Sequence, residues 1–356
     1  MSSVEIGGVK VGDGNPVYVV AEMAWSHDGT VENGKKIIDI AAAGGAQAIN
    51  MHLTSVADYI VPNYGLDISP LADNKDPNSA FNYLANINLS FGDFKNLAAH
   101  ARSLGLSVSI MCNDDPSLDY AAAEINPEIL MIHPSCVGDR DFVARVAEKA
   151  NVLLLYVGGL SLGEIERSVI AASEAGCDSI ILQHGFQSYP TPIEENNLHY
   201  IPTLKKLFDV PVAFGDHTDG GDPFALVIPA VATGVGANLI EKHLTHDRSV
   251  KGEDHESALD GTTFATFVEH LRATETSLGA DNWRPLGNLE KNYRNVVRKR
   301  AVASKEIAVG EVISMENVIY MRSKTGYYPE EIDAALGRKA KRTIVVNEPI
   351  TADVIA

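Results

Sequence analysis

The chain of 356 residues holds only three cysteines, Cys112, Cys136 and Cys177, odd in number and widely scattered. So few thiols exclude a disulfide-stapled scaffold and suit a reducing cytosol. No apolar run approaches the roughly 20 residues that span a bilayer, so no membrane role is expected. The opening Met1-Ser-Ser-Val-Glu-Ile-Gly-Gly has no basic region followed by an apolar one, and a cytoplasmic location is expected. Basic residues are also in short supply, 29 Lys and Arg against 47 Asp and Glu, for a formal net charge of -18. That balance disfavours nucleic acid or an anionic membrane as partner. The deficit is uneven. Residues 298–356 carry 10 basic and 8 acidic residues, leaving 19 and 39 for an acidic body. A mildly basic tail beside such a body suits docking on a body, its own or a neighbour's.

What is present is a repeating pattern. Apolar strand-like runs fall at 17–24, 46–52, 106–113, 128–134, 152–159, 178–185, 211–218 and 237–245. Helical periodicity fills many of the gaps, as at 34–43, 94–104, 141–150, 162–175 and 223–233. Glycines at 44, 105, 176 and 234 sit where helix C-caps belong. Eight strands alternating with helices, apolar on both faces, predict an α/β fold, a (β/α)₈ TIM barrel over residues 1–280. An open doubly wound sheet is the runner-up, but no glycine-rich phosphate fingerprint follows the first strand. The polar stretch from about 54 to 90 reads as an irregular flap near the barrel mouth. Residues 281–297 read as a polar linker. Residues 298–356 read as a small β-rich domain, with strand-like pieces at 301–303, 311–313 and 343–346 and a helical run only at 329–336.

In such a barrel, chemistry belongs at the carboxyl ends of the strands. Six of the eleven histidines fall there: His27, His52, His133, His184, His217 and His243. Two of them close adjacent strands, in Pro211-Val-Ala-Phe-Gly-Asp-His-Thr218 and Asn238-Leu-Ile-Glu-Lys-His-Leu-Thr-His246. Imidazole is the commonest side-chain ligand for a divalent transition metal, so His217 and His243 are the candidate metal pair. As ordinary strand-end histidines they would instead be satisfied by hydrogen bonds. Asp254 follows the last strand and is either a pocket carboxylate or a solvated turn residue.

These motifs resemble those of the sialic acid synthase family, which makes nonulosonic acids such as N-acetylneuraminate. Val20-Ala-Glu-Met-Ala-Trp-Ser-His-Asp-Gly29 is similar to its AEIGxNHxG, Tyr189-Pro-Thr-Pro192 to its YPTP, and Gly215-Asp-His-Thr218 to its SDHT. Ile240-Glu-Lys-His243 with Gly252-Glu-Asp254 resembles IEKHxT…GPD. Arg300-Ala-Val-Ala-Ser-Lys-Glu-Ile, Arg322-Ser-Lys-Thr-Gly and Leu336-Gly-Arg-Lys resemble the antifreeze-like SAF (β-clip) domain. The resemblance implies a TIM barrel fused to a SAF domain, in a homodimer whose SAF domains each cap the partner's barrel. It implies condensation of phosphoenolpyruvate with an N-acetylmannosamine-type aldehyde, both small-molecule substrates. A divalent metal, manganese or magnesium by family with zinc as an alternative, would sit on His217 and His243. Tyr189 and Asp254 would contact the sugar, Glu22 would lie near the donor, and Arg322 would reach in from the partner.

The departures cluster on the donor side. The family's KFQ is Asn50-Met51-His52, its STPF is Ser109-Ile110-Met111-Cys112, and its KIxSxE falls at Met131-Ile-His-Pro-Ser-Cys136. Both donor lysines are absent, with His52 and His133 nearby instead. Gln187 stands for the family asparagine and Gly215 for the SDHT serine. A phosphoenolpyruvate site short of two cations loses roughly 1.5–3 kcal/mol for each charge-assisted bond. Lys75 in the flap is one candidate replacement. Three readings stand: a synthase with a rebuilt donor site; a paralogue using a less charged partner in a metal-dependent aldol, retro-aldol or isomerase step, with His52 or His133 as base or extra ligand; and a non-catalytic ligand-binding homologue.

Overall fold

In the computed structural model, which describes residues 3–62, 80–186, 188–279 and 283–356, the chain divides into two compact units at Gly279 and Ala280. The first unit opens with an antiparallel hairpin, β1 (Ser3–Ile6) and β2 (Val9–Gly12). Its tight turn uses Gly7 and Gly8, both at positive φ. Eight parallel strands follow: β3 (Tyr18–Glu22), β4 (Ala48–Leu53), β5 (Ser107–Cys112), β6 (Ile129–Ile132), β7 (Leu153–Tyr156), β8 (Ile180–His184), β9 (Val212–Asp216) and β10 (Leu239–His243). They close into a barrel in which β10 pairs with β3, His243 lying opposite Glu22. Seven lie within the runs expected from the sequence, and β4 extends one residue past its run, to Leu53.

The strands are apolar on both faces because each face meets a core. Outward residues such as Val19, Ile49 and Ile240 pack under the helices with Phe94, Leu97 and Phe264. Inward residues fill the barrel: Tyr18, Val20, Ala48, Met131, Leu154, Ile181 and Leu239. Burial of each large apolar side chain contributes about 1.5–3 kcal/mol. The helices are punctuated by side-chain caps. Thr30 accepts from the Asn33 N–H before Val31–Ala43, and Ser90 with Asp93 forms a capping box before Phe91–Ser103. Gly105 and Gly176 take the left-handed turns expected of them, whereas Gly45 and Gly236 do so in place of Gly44 and Gly234. The stretch read as an irregular flap is helical at Val56–Tyr59 and Ala80–Ile87; Lys75 lies outside the described residues.

The second unit pairs β11 (Lys299–Ala303) antiparallel with β12 (Val318–Arg322). It closes its own core from Ala301, Ile307, Ile313, Val318, Ile344 and Ile350. Residues 311–313 and 343–346 form single bridges, at Val312 and Ile344, because each lies against a turn and cannot extend a ladder. The stretch read as a linker carries a helix, Asn288–Val297.

Candidate active site

The period-two alternation that fills the barrel with apolar groups continues past its middle into polar ones. On β3 it places Glu22 inward after Tyr18 and Val20. On β4 it places Asn50 and His52, on β8 Gln183, and on β10 Glu241 and His243. At the rim, His217 and His243 have ring centroids 5.0 Å apart. Tyr189 stands edge-on to both, at 4.9 and 5.6 Å. The Asp254 carboxylate lies 3.9 Å from His243 Nδ1, an atom that is buried with no hydrogen-bond partner. Burial holds both imidazoles neutral, His217 down at about 3 and His243 well below its ordinary range. Neutral imidazole is the metal-binding form. Two neutral imidazoles are an incomplete ligand set, so a divalent ion held by this pair would need further ligands from water or substrate. Among the described residues, no group of three His, Cys, Asp or Glu side chains is placed to hold a metal ion alone.

The loops that carry these groups are fixed from behind. The His217 carbonyl accepts from the Thr191 N–H (2.9 Å) and the Ser257 hydroxyl (2.7 Å), which ties the Tyr189 loop and the Asp254 loop to the end of β9. Lys242 points out of the barrel, fully buried, and donates to Asp216 Oδ2 (2.8 Å) and the Thr218 carbonyl (2.9 Å). The Tyr156 hydroxyl lies 3.3 Å from His217 Nδ1. This is the kind of outer contact that fixes which nitrogen of a ligand imidazole faces a metal.

Tyr156 also explains why glycine replaces the SDHT serine. A Cβ at Gly215 would lie 2.7 Å from the Tyr156 hydroxyl and 2.7 Å from Gln183 Nε2. Gly215→Ala is accordingly expected to cost about 1–3 kcal/mol in urea unfolding by overpacking the barrel.

Below the imidazoles lies a chain of buried polar groups. Asn50 donates to Glu22 and to Glu241 Oε2 (3.5 Å), and Gln183 donates to Glu241 Oε1. The Ala24 N–H donates to Glu22 Oε1 (2.5 Å). Burial raises both carboxyls above their usual range, and Glu241 raises Glu22 further. Two carboxyls joined through Asn50 in so dry a place resist ionising together. His52 Nε2 stands 3.7 Å from Glu22 Oε1.

The histidines expected at the rim thus separate. His52, His217 and His243 face the barrel mouth. His133 closes β6 beside them, with its Nδ1 taken up by the Ser135 hydroxyl (2.8 Å) and the Ser135 N–H (3.2 Å). His27 packs edge-on to Phe94, and His184 is bonded to the Asn196 carbonyl (2.8 Å). Arg322 ends β12 in the second unit; Gln187 lies outside the described residues. Tyr156 and Gln183 were not anticipated. Each follows an apolar residue at the inward parity positions of its strand, which is the signal that finds them.

Comparisons with known proteins identify the family and the fold. Residues 34–282 match the model of the NeuB family and residues 298–356 that of the SAF domain. An uncharacterized protein of Methanocaldococcus jannaschii is 30% identical over 96% of this chain and 95% of its own. The N,N'-diacetyllegionaminic acid synthase of Legionella pneumophila is 29% identical over 95% of this chain and 94% of its own. The crystal structure of N-acetylneuraminic acid (sialic acid) synthetase from Leptospira borgpetersenii, in complex with citrate, matches with a TM-score of 0.71 and 27% identity. It covers 83% of this chain and 96% of that one.

Proposed function

The chain belongs to the NeuB family and is a condensing enzyme of the sialic acid synthase type, and from that premise we propose that it joins phosphoenolpyruvate to the open-chain aldehyde of an N-acetylmannosamine-type sugar. The donor's C3 bonds to the aldehyde carbon, water adds at C2, and phosphate leaves. His217 and His243 would hold a divalent cation, manganese or magnesium with zinc as an alternative, which supplies Lewis-acid polarisation of the aldehyde. Tyr189 and Asp254 bind and orient the sugar against the imidazole pair, and Glu22 holds a proton beside the donor. The observation that carries this reading is the convergence of two neutral imidazoles, Tyr189 and Asp254 at one end of the barrel. Purified protein with manganese, both substrates and a phosphate-release assay tests it. Stoichiometric phosphate and 2-keto acid support the reading; no turnover with any N-acylated amino-sugar aldehyde opposes it.

One observation favours a second reading. Asn50 faces inward where the family has a donor lysine, and its amide is spent on two carboxyls. On that reading a paralogue acts on a less charged partner. Asn50→Lys separates the two. For a phosphoenolpyruvate enzyme the added cation is expected to lower the KM for phosphoenolpyruvate about tenfold or more, at roughly 1.5–3 kcal/mol for a charge-assisted bond. An unchanged KM favours the paralogue.

We place the reaction in the cytoplasm, a reading supported by the scarcity of cysteine. Among the described residues no helix is long and apolar enough to cross a membrane. We also infer a homodimer in which the SAF unit of one copy caps the partner's barrel, so that Arg322 serves the partner's site. Mixing the inactive His217→Ala and Arg322→Ala proteins is then expected to restore about a quarter of wild-type activity, since a mixed dimer keeps one intact site. A site built within one chain gives no recovery.

A further inference from the structure

The second unit contains a cavity of about 550 Å³ lined by Asn295, Val296, Arg300, Arg322, Ser323 and Lys324. Three of these side chains are cations and none is a carboxylate. Arg300 is only 8% exposed, yet its guanidinium donates to neutral acceptors, the Ser323 carbonyl and the Tyr328 hydroxyl (2.7 Å). It also lies 4.6 Å from the centre of the Tyr328 ring. Arg298, stacked 3.9 Å from the same ring, is neutralised by Glu330. Among the described residues, no carboxylate comes within 4.0 Å of Arg300, Arg322 or Lys324; the nearby ion pairs join Glu330 to Arg294 and Arg298.

A nearly buried guanidinium with no counter-ion is costly, and the cost falls when an anion approaches. Guanidinium and ammonium groups around one hollow match the oxygens of a phosphoryl or carboxylate group. We propose that this cavity is an oxyanion site, in which Arg322 and Lys324 grip a phosphoryl or carboxylate group in front of the buried Arg300 charge. The site stands whether or not the condensation proposed above is the reaction performed. Its ligand is either free phosphate or the anionic group of a substrate.

Calorimetric titration of the full-length protein with inorganic phosphate, phosphoenolpyruvate and acetate tests this, with N-acetylmannosamine as the uncharged control. The His217→Ala protein serves as background, so that binding dependent on the imidazole pair is weakened while Arg300, Arg322 and Lys324 are unchanged. Phosphate or phosphoenolpyruvate is expected to bind, with Lys324→Ala weakening the affinity at least fivefold and Lys324→Glu removing it. Tighter phosphate points to the free ion as ligand, and tighter phosphoenolpyruvate to a substrate group. Lys324 is exposed, so these variants are expected to fold, and unchanged circular dichroism checks it. Affinities within twofold of each other in the Lys324→Glu and parent proteins, or no heat with any of the three anions, overturn the proposal. Absence of turnover leaves it intact, because the readout is binding.

Discussion

His217→Ala is expected to lower kcat by about a thousandfold or more while leaving the barrel folded. The imidazole is buried at the rim beside His243, and the proposed ion needs both. Lewis-acid stabilisation of a developing alkoxide is worth several kcal/mol, and each 1.4 kcal/mol is a factor of ten in rate. His243→Ala is expected to do the same. The double variant should be no worse than either single one, because two ligands of one ion act as a unit. Steady-state kinetics with manganese in excess reads all three. A loss below tenfold in either single variant contradicts a shared ion.

The second large effect is on stability. Lys242 and Asp216 are both fully buried, 2.8 Å apart, on adjacent strands. Removing one partner of such a pair leaves a charge in a dry interior, at a cost of about 3–5 kcal/mol. Lys242→Met is expected to lose that much in urea unfolding of the first unit. Asp216→Asn added to Lys242→Met should recover most of it, since the uncompensated charge is gone. The same lysine holds the Thr218 carbonyl, one residue beyond His217. Lys242→Met should therefore also weaken metal binding, and the double variant should not restore that. A loss under about 1 kcal/mol would mean that the pair is better hydrated than its burial indicates.

Much of this was legible in the residues because barrel strands obey a strict period of two and their carboxyl ends share one rim. Apolar runs located all eight strands, and their carboxyl ends marked His52, His217 and His243 as rim residues. Parity also distinguishes His184, on the outward face of β8, from Gln183 beside it, a distinction missed when strand ends were read as single points. The hairpin at Ser3–Ile6 and Val9–Gly12 was not anticipated, since four-residue strands leave too little pattern to read. Tyr156 escaped because its role depends on an absence elsewhere: the missing side chain at Gly215 makes room for its hydroxyl. The closeness of Glu22 and Glu241 depends on β10 pairing with β3, strands far apart in the chain, which no local pattern reports. In the second unit, 311–313 and 343–346 have strand-like composition but pair at single residues, because tertiary context decides whether a short β-prone stretch finds a ladder.

The most direct measurement is manganese titration followed by electron paramagnetic resonance, on the wild-type protein and on the His217→Ala/His243→Ala variant. One ion per chain bound by wild type, none by the double variant, and loss of turnover after chelation that manganese restores are the results the account predicts. Equal manganese binding by both proteins, or full turnover by the chelator-treated enzyme, would contradict it.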